Sequence, residues 1–338
     1  MKKISEALDQ YTGICKEAIL DSAAKLSKSF EKIIIEILLL YMVVPGRINF
    51  TQLGRYGKHG LEIMGLGLIN LDAHNCMMLR AHQTPGTSEL KVRNKSLTEH
   101  YIGVIKRYSK ELLKLSHLIV ADAFFSNNTF YNGIREYGFH LISRFRDDAH
   151  LCYLYEGERT GKRGRPRVID GKIDYKHLDK SRMQLLSIEG LMGKAYTLLA
   201  YSKSLKCKVR LVIWQMPDGK HKLFFSTDTT LTGEEVLDFY RTRFQIEFCY
   251  RDAKNYTGLM DCQARDPWKL DFAFNASFAS LNIAKLMMKE RGMDYSMSNF
   301  KALMAGIFLT KRIFDVSRYR PNQTLINHIF KELFGCAA

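Results

Sequence analysis

The chain has 338 residues, 46% hydrophobic and 25% charged, which suits about two globular domains, or one with a large insertion, and excludes a disordered or collagen-like chain. Lys and Arg number 51 against 35 Asp and Glu, and the net charge of +16 favours polyanionic partners, nucleic acid first and acidic membrane surfaces second. No internal repeat stands out.

Met1 to Glu6 run straight into mixed polar sequence, which predicts no secretory leader. Leu8 to Leu26 and Phe30 to Val44 read as helices, the second ended by Pro45-Gly46. Its apolar run from Ile33 to Val44 is too short to span a bilayer and predicts a buried helix. After a short segment, Ile48 to Tyr56, come two strands, Leu61 to Ile69 and Cys76 to Ala81, joined by a turn at Asn70-Leu71-Asp72. Ser96 to Leu115 has helical periodicity. Leu118 to Ala121 is a short apolar strand ending in Asp122, Asn128 to Tyr137 a helix, and Phe139 to Phe145 another strand. That order implies a right-handed crossover and parallel pairing. Strands then dominate: Leu151 to Tyr155, Met183 to Ile188, Lys194 to Tyr201, Lys208 to Gln215 and Lys222 to Ser226. Gly233 to Lys254 reads as one long helix beginning near Thr232, and Phe272 to Lys289 as an Ala-rich apolar helix. Asn299 to Ile313 and Asn322 to Phe334 read as shorter helices. The seven cysteines are odd in number and form no C-x-x-C pair, as expected of reduced thiols in a cytoplasmic protein.

Asp122 stands at the C-terminal end of its strand, where open α/β sheets place ligand groups, although a strand-end Asp also serves as a turn or cap residue. On the long helix, Tyr240, Arg243, Glu247 and Lys254 fall within about 60° of one another, with Arg251 beside them. The plain alternative is a solvated face laced with i,i+4 ion pairs. The functional reading is a carboxylate held among cations, able to bind a metal while Arg and Lys contact phosphates. Two-metal phosphodiester chemistry needs several converging carboxylates, and Asp122 and Glu247 are candidates from distant parts of the chain.

The run Tyr240-Arg241-Thr242-Arg243-Phe244-Gln245-Ile246-Glu247, continued to Lys254, resembles the Y-(2)-R-(3)-E-(6)-K signature of IS4-type DDE transposases. Val120 to Ser126 with Gly138 to Arg146 resembles the block around that family's second aspartate, and Gly258 to Arg265 its continuation after the signature. The resemblance implies an α/β fold: an RNase H-like core interrupted by a mostly β insertion and flanked by helical N- and C-terminal segments. The corresponding divisions are an N-terminal helical region at 1–56, core at 57–148, insertion with a basic loop at 149–231, core with the signature helix at 232–290, and C-terminal helices at 291–338. It also implies two Mg²⁺ ions (Mn²⁺ as substitute) with Asp122 and Glu247 as catalytic metal ligands. Tyr240, Arg243 and Lys254 would contact DNA, with Arg251 beside them. The implied partners are transposon ends and target DNA bound by a homodimer, in the cytoplasm at the nucleoid, with no membrane.

One part of the family pattern is absent. A first aspartate belongs on a strand just before Leu61, yet Phe50 to Gly60 holds neither Asp nor Glu, as if a piece had been removed near Tyr56 to His59. Asp72 and Glu62 are poor substitutes by position. That first strand would be central in the sheet, so its loss leaves two edges to re-pair or stay open. The reading is a transposase by descent with a defective metal site; the alternative is a catalytically inactive DNA-binding remnant, and a general nuclease ranks third.

Arg159 to Arg182 carries nine Lys/Arg and three Asp. Its core, Lys162-Arg163-Gly164-Arg165-Pro166-Arg167, resembles an AT-hook whose arginines enter a narrow minor groove; the alternative is a solvated basic loop. Trp214 and Trp268 read as core aromatics, either of which could also stack on a base. The glycines at 60, 65 and 67 lack the spacing of a nucleotide-binding loop.

Overall fold

A computed structural model describes residues 2–20, 26–43, 62–158, 167–290, 296–317, 322, 324–326 and 328. In chain order these form α1 (Lys2–Leu20), α2 (Lys28–Val43), β1 (Ile63–Asn70), β2 (Asn75–Gln83), α3 (Thr87–Val92) and α4 (Leu97–Leu113). Then come β3 (Leu118–Val120), α5 (Asn128–Arg135), β4 (His140–Phe145), β5 (Leu151–Leu154), β6 (Ile169–Lys172) and β7 (Gln184–Leu186). The remainder are β8 (Lys194–Ser202), β9 (Cys207–Gln215), β10 (His221–Ser226), α6 (Gly233–Thr242), α7 (Phe244–Tyr256), α8 (Pro267–Glu290) and α9 (Met297–Ser317). The architecture is α/β, with N-terminal helices, a central mixed sheet and C-terminal helices, consistent with an RNase H-like core carrying an insertion. Among the described residues no helix is long and apolar enough to cross a membrane.

The chain divides into two compact units, one comprising 1–68, 75–84 and 245–338, the other 69–74 and 85–244. The second is built on an eight-stranded sheet of order β3-β4-β10-β9-β8-β5-β6, with β7 also pairing β8. Only β3 and β4 run parallel, in the register Leu118↔His140 to Val120↔Ile142, because the α5 crossover returns the chain in the same direction. Both faces of the central strands are covered, so the middle of β9, Leu211-Val212-Ile213, is apolar and buried without alternation. On one face Ile142, Val212 and Phe224 pack under Val236 and Leu237 of α6. On the other, Leu141, Leu211 and Leu223 are buried, and Phe145 stacks on Phe225 at 3.9 Å. Complete burial of such side chains is worth roughly 1.5–3 kcal/mol each. Capping boxes start α4 (Ser96 with Glu99) and α6 (Thr232 with Glu235), each satisfying donors that the first helical turn leaves open.

The first unit packs α1, α2, α8 and α9 together and lays β2 against α8. The Tyr11 hydroxyl is buried but satisfied, donating to the Leu38 carbonyl at 3.0 Å and lying 2.7 Å from Ser280 Oγ. Along α8, Asp271, Asn275, Asn282 and Lys285 form a polar stripe facing β2. Asn275 accepts from Ala81 N (2.9 Å) and donates to Ala81 O (3.0 Å). Asn282 does the same with Met78, at 3.0 and 2.8 Å. Lys285 Nζ donates to Cys76 O at 2.8 Å, and Arg80 pairs with Asp271 at 2.5 Å. Side chains of a helix thus take the place of a neighbouring strand along β2.

Among the described residues no strand pairing joins the hairpin to the sheet that contains β3. β1 and β2 form a two-stranded sheet of their own, and β3 has only β4 as a partner, at the edge of the larger sheet. The segment Ile48 to Leu53, a candidate to fill the gap, and the join near Tyr56 to His59 lie outside the described residues, as does most of the expected Asn322 to Phe334 helix.

Candidate functional site

Asp122 stands two residues beyond the end of β3 and caps the short 3₁₀ turn Ala123–Phe125, accepting from Phe124 N at 3.0 Å. Its carbonyl receives the Ser143 hydroxyl at 2.8 Å. Ser126 Oγ lies 2.9 Å from Ser143 Oγ and donates to Arg144 O at 2.7 Å, so hydroxyls fasten the C-terminal ends of the two parallel strands together. The carboxylate is exposed, and capping occupies only one face of one oxygen.

The signature run is two helices rather than one. α6 stops at Thr242, whose hydroxyl donates to Phe239 O at 2.8 Å in competition with the backbone ladder. At Arg243 the N–H bonds to Tyr240 O, three residues back, before α7 begins at Phe244. Arg243 itself keeps helical dihedrals (φ −49°, ψ −33°), so the change is one tightened turn between the two helices. Tyr240 and Arg243 belong to the second unit, where Tyr240 lies 4.9 Å from Phe224 and Arg243 lies over the Tyr240 ring at 5.7 Å.

Glu247, Arg251 and Lys254 belong to the first unit, all on α7. With Tyr250 and Asn255 they line an open pocket of about 470 Å³. The spacing i, i+3, i+4, i+7, i+8 is that of one helix face. Arg251 lies over the Phe248 ring at 4.7 Å and bonds Asp252 at 3.0 Å. The helix is also anchored within its own unit. Buried Cys249 lies 3.1 Å from Lys285 Nζ, and the Tyr250 hydroxyl donates to Ile63 O at 3.3 Å. A hydrogen bond from the Cys76 thiol and the nearby Lys285 ammonium lower the pKa of Cys249 below the ordinary thiol range despite its burial. Gly65 and Gly67 have their explanation here: a Cβ at 65 would strike the Tyr250 hydroxyl, and one at 67 would meet Cys76 Sγ at 2.7 Å.

Lys162, Arg163 and Arg165 lie outside the described residues. Arg167 is described and is engaged by the protein: it pairs with Asp170 at 2.7 Å, donates to Ile169 O at 3.0 Å and lies over the Tyr155 ring at 4.7 Å. Of the two tryptophans expected in the core, Trp214 is half-buried, its indole N–H donating to Met192 O at 2.8 Å, but Trp268 is 81% exposed. The core expectation fails for Trp268 because it stands in the first turn of α8, ahead of the turns whose side chains pack on β2. Sequence reasoning also missed the α8 stripe. Asp271, Asn275, Asn282 and Lys285 recur at helical spacing in an apolar helix, and that was the available signal.

Two-metal chemistry needs three or more converging acids. Among the described residues no three His, Cys, Asp or Glu side chains form a group able to hold a metal ion. Asp122 and Glu247 by themselves do not amount to that donor set. A family profile described as "Transposase DDE domain" matches residues 78–283, more than half of the chain. A comparison of the chain with curated proteins found no match.

Proposed function

Because the chain belongs to the DDE transposase family, of IS4 type, we propose that it is an insertion-sequence transposase whose DNA-binding surface is kept and whose two-metal centre is incomplete. The observation that carries this reading is the α7 face, where Glu247 shares one pocket with Arg251 and Lys254. Cations at that spacing suit a phosphate backbone. Tyr240 and Arg243, in the other unit, are a separate aromatic and cation that we assign to DNA contact, and the chain's charge of +16 adds a salt-sensitive attraction to any duplex. The defective centre is supported by the lack of any Asp or Glu from Phe50 to Gly60, where the family's first aspartate belongs. Mg²⁺ or Mn²⁺ would supply the nucleophile activation and leaving-group stabilisation of strand cleavage in an intact relative. Here Asp122 and Glu247 are the two remaining acids, and no step is assigned to them.

Binding of duplex DNA by anisotropy across a salt series, beside nicking of supercoiled plasmid in Mg²⁺ and in Mn²⁺, tests the reading. The expected result is binding that weakens steeply with salt, weakens further in Arg251→Ala/Lys254→Ala, and leaves the plasmid intact. Nicking by the wild type that disappears in both Asp122→Asn and Glu247→Gln would show a working metal centre and overturn it.

A further inference from the structure

Trp268 is 81% exposed, whereas no described phenylalanine exceeds 52%. A single exposed apolar residue is ordinary, whereas exposed aromatics grouped on one surface mark a place that meets something. The residue is not on a loose loop. Pro267 opens α8, and the Asp266 carboxylate accepts from Trp268 N at 3.1 Å and from Lys269 N at 3.0 Å, a cap that fixes the first turn. Phe272, one turn further along, is 41% exposed, so two aromatic rings follow one another along the helix surface. Arg265 and Lys269 are exposed on either side of the indole in sequence. A rigid, solvent-facing pair of aromatics beside cations, in a chain of net charge +16, has the composition of a surface that stacks bases while holding phosphates.

We infer that Trp268 and Phe272 form a stacking platform for an unpaired DNA base, with Arg265 and Lys269 contacting the adjoining phosphates. This rests on the DNA-binding reading and adds to it a preference for strands with free bases, at a place outside the signature. Base stacking is indifferent to sequence, because every base offers a π-face, so the platform selects for strand openness rather than for a motif.

The chain has only two tryptophans, so Trp214→Phe leaves Trp268 as the single reporter. That variant is titrated with a short single-stranded thymidine oligonucleotide while indole emission and the anisotropy of a dye-labelled copy are read in parallel. Emission is expected to fall in step with binding. In the otherwise native chain, Trp268→Ala is expected to weaken oligonucleotide binding about tenfold and duplex binding much less, with Trp268→Phe restoring most of it. Because Trp268 is exposed, these substitutions leave the packing intact, and they keep the test open if Trp214→Phe folds poorly. Binding by anisotropy with unchanged emission, or equal affinity in Trp268→Ala, overturns the inference while leaving the DNA-binding reading in place. A loss of self-association in Trp268→Ala without an effect on DNA would assign the surface to a second copy of the chain and also overturn it. Absence of any DNA binding would overturn both.

Discussion

Asn275 and Asn282 are seven positions apart on α8, about 10.5 Å along the helix axis. Met78 and Ala81, whose backbones they bond, are three positions apart on β2, about 10 Å. The two rises are comparable, and each amide closes a two-bond ring with one strand residue; because regular strand residues three apart turn their backbone groups to opposite edges, the alternation of β2 slips between Met78 and Ala81. Truncating one asparagine to alanine strands one N–H and one C=O of β2. A buried unsatisfied group costs about 1–3 kcal/mol, and these are only part-buried, so about 2 kcal/mol per variant is expected. The sites are distant enough to add, giving about 4 kcal/mol for the double variant, a large share of a typical stability of about 5–15 kcal/mol. Asn275→Asp is the informative control: it retains the acceptor for Ala81 N but sets a second acceptor against Ala81 O, and it should be no better than alanine. Urea unfolding measures the loss, and hydrogen exchange at Met78 and Ala81 locates it. If the double variant melts within about 0.5 kcal/mol of wild type and both amides stay protected, the side chains are not acting as a substitute strand and the reasoning fails.

Two further outcomes follow from local physics. Burial, followed by repulsion from Arg93, Lys95 and Arg107, lowers the pKa of His100, so the unfolded chain binds the extra proton and stability falls as pH drops below about 6.5. His100→Gln should flatten the melting profile below that pH relative to wild type; parallel profiles would contradict the assignment. At Gly193, φ is +100° and the Gln215 carbonyl occupies the place of a side chain, so Gly193→Ala combines backbone strain with overlap and should cost about 3 kcal/mol in a thermal melt. A loss below about 1 kcal/mol would mean that the β8–β9 end relaxes easily.

Much of the fold was legible because its signals are local. Strand periodicity placed β4, β8, β9 and β10 to within a residue or two, and the Thr232 cap fixed the start of α6. β6 was missed because Ile-Asp-Gly-Lys has neither alternation nor an apolar run. The break at Arg243 was invisible because every residue from 240 to 250 tolerates a helix; a single hydroxyl bond from Thr242 accompanies the change. Trp268 was assigned by type, whereas its exposure depends on where α8 begins relative to its packed face. For the candidate site, helical spacing set Arg251 beside Glu247 and Lys254 of the motif, and these three side chains line one pocket. The anchoring of that helix through Cys249, Tyr250 and Lys285 involves strands almost two hundred residues away, which no local pattern encodes.

The division of the chain also sets an order of events during synthesis. Apart from the short piece 69–74, the sheet-bearing unit is a continuous stretch, 85–244, and has all its strands once residue 244 has left the ribosome. The other unit begins at the N-terminus but lacks α8, which supplies Ser280 to Tyr11 and the asparagines to β2, until well after residue 267. The first helices and the hairpin to emerge are thus the last to find their partners. For the time it takes to make some two hundred residues, their apolar faces stand open to water. An interruption of translation between 244 and 290 would therefore release a chain with a finished sheet and a nascent helical half that calls for chaperone protection.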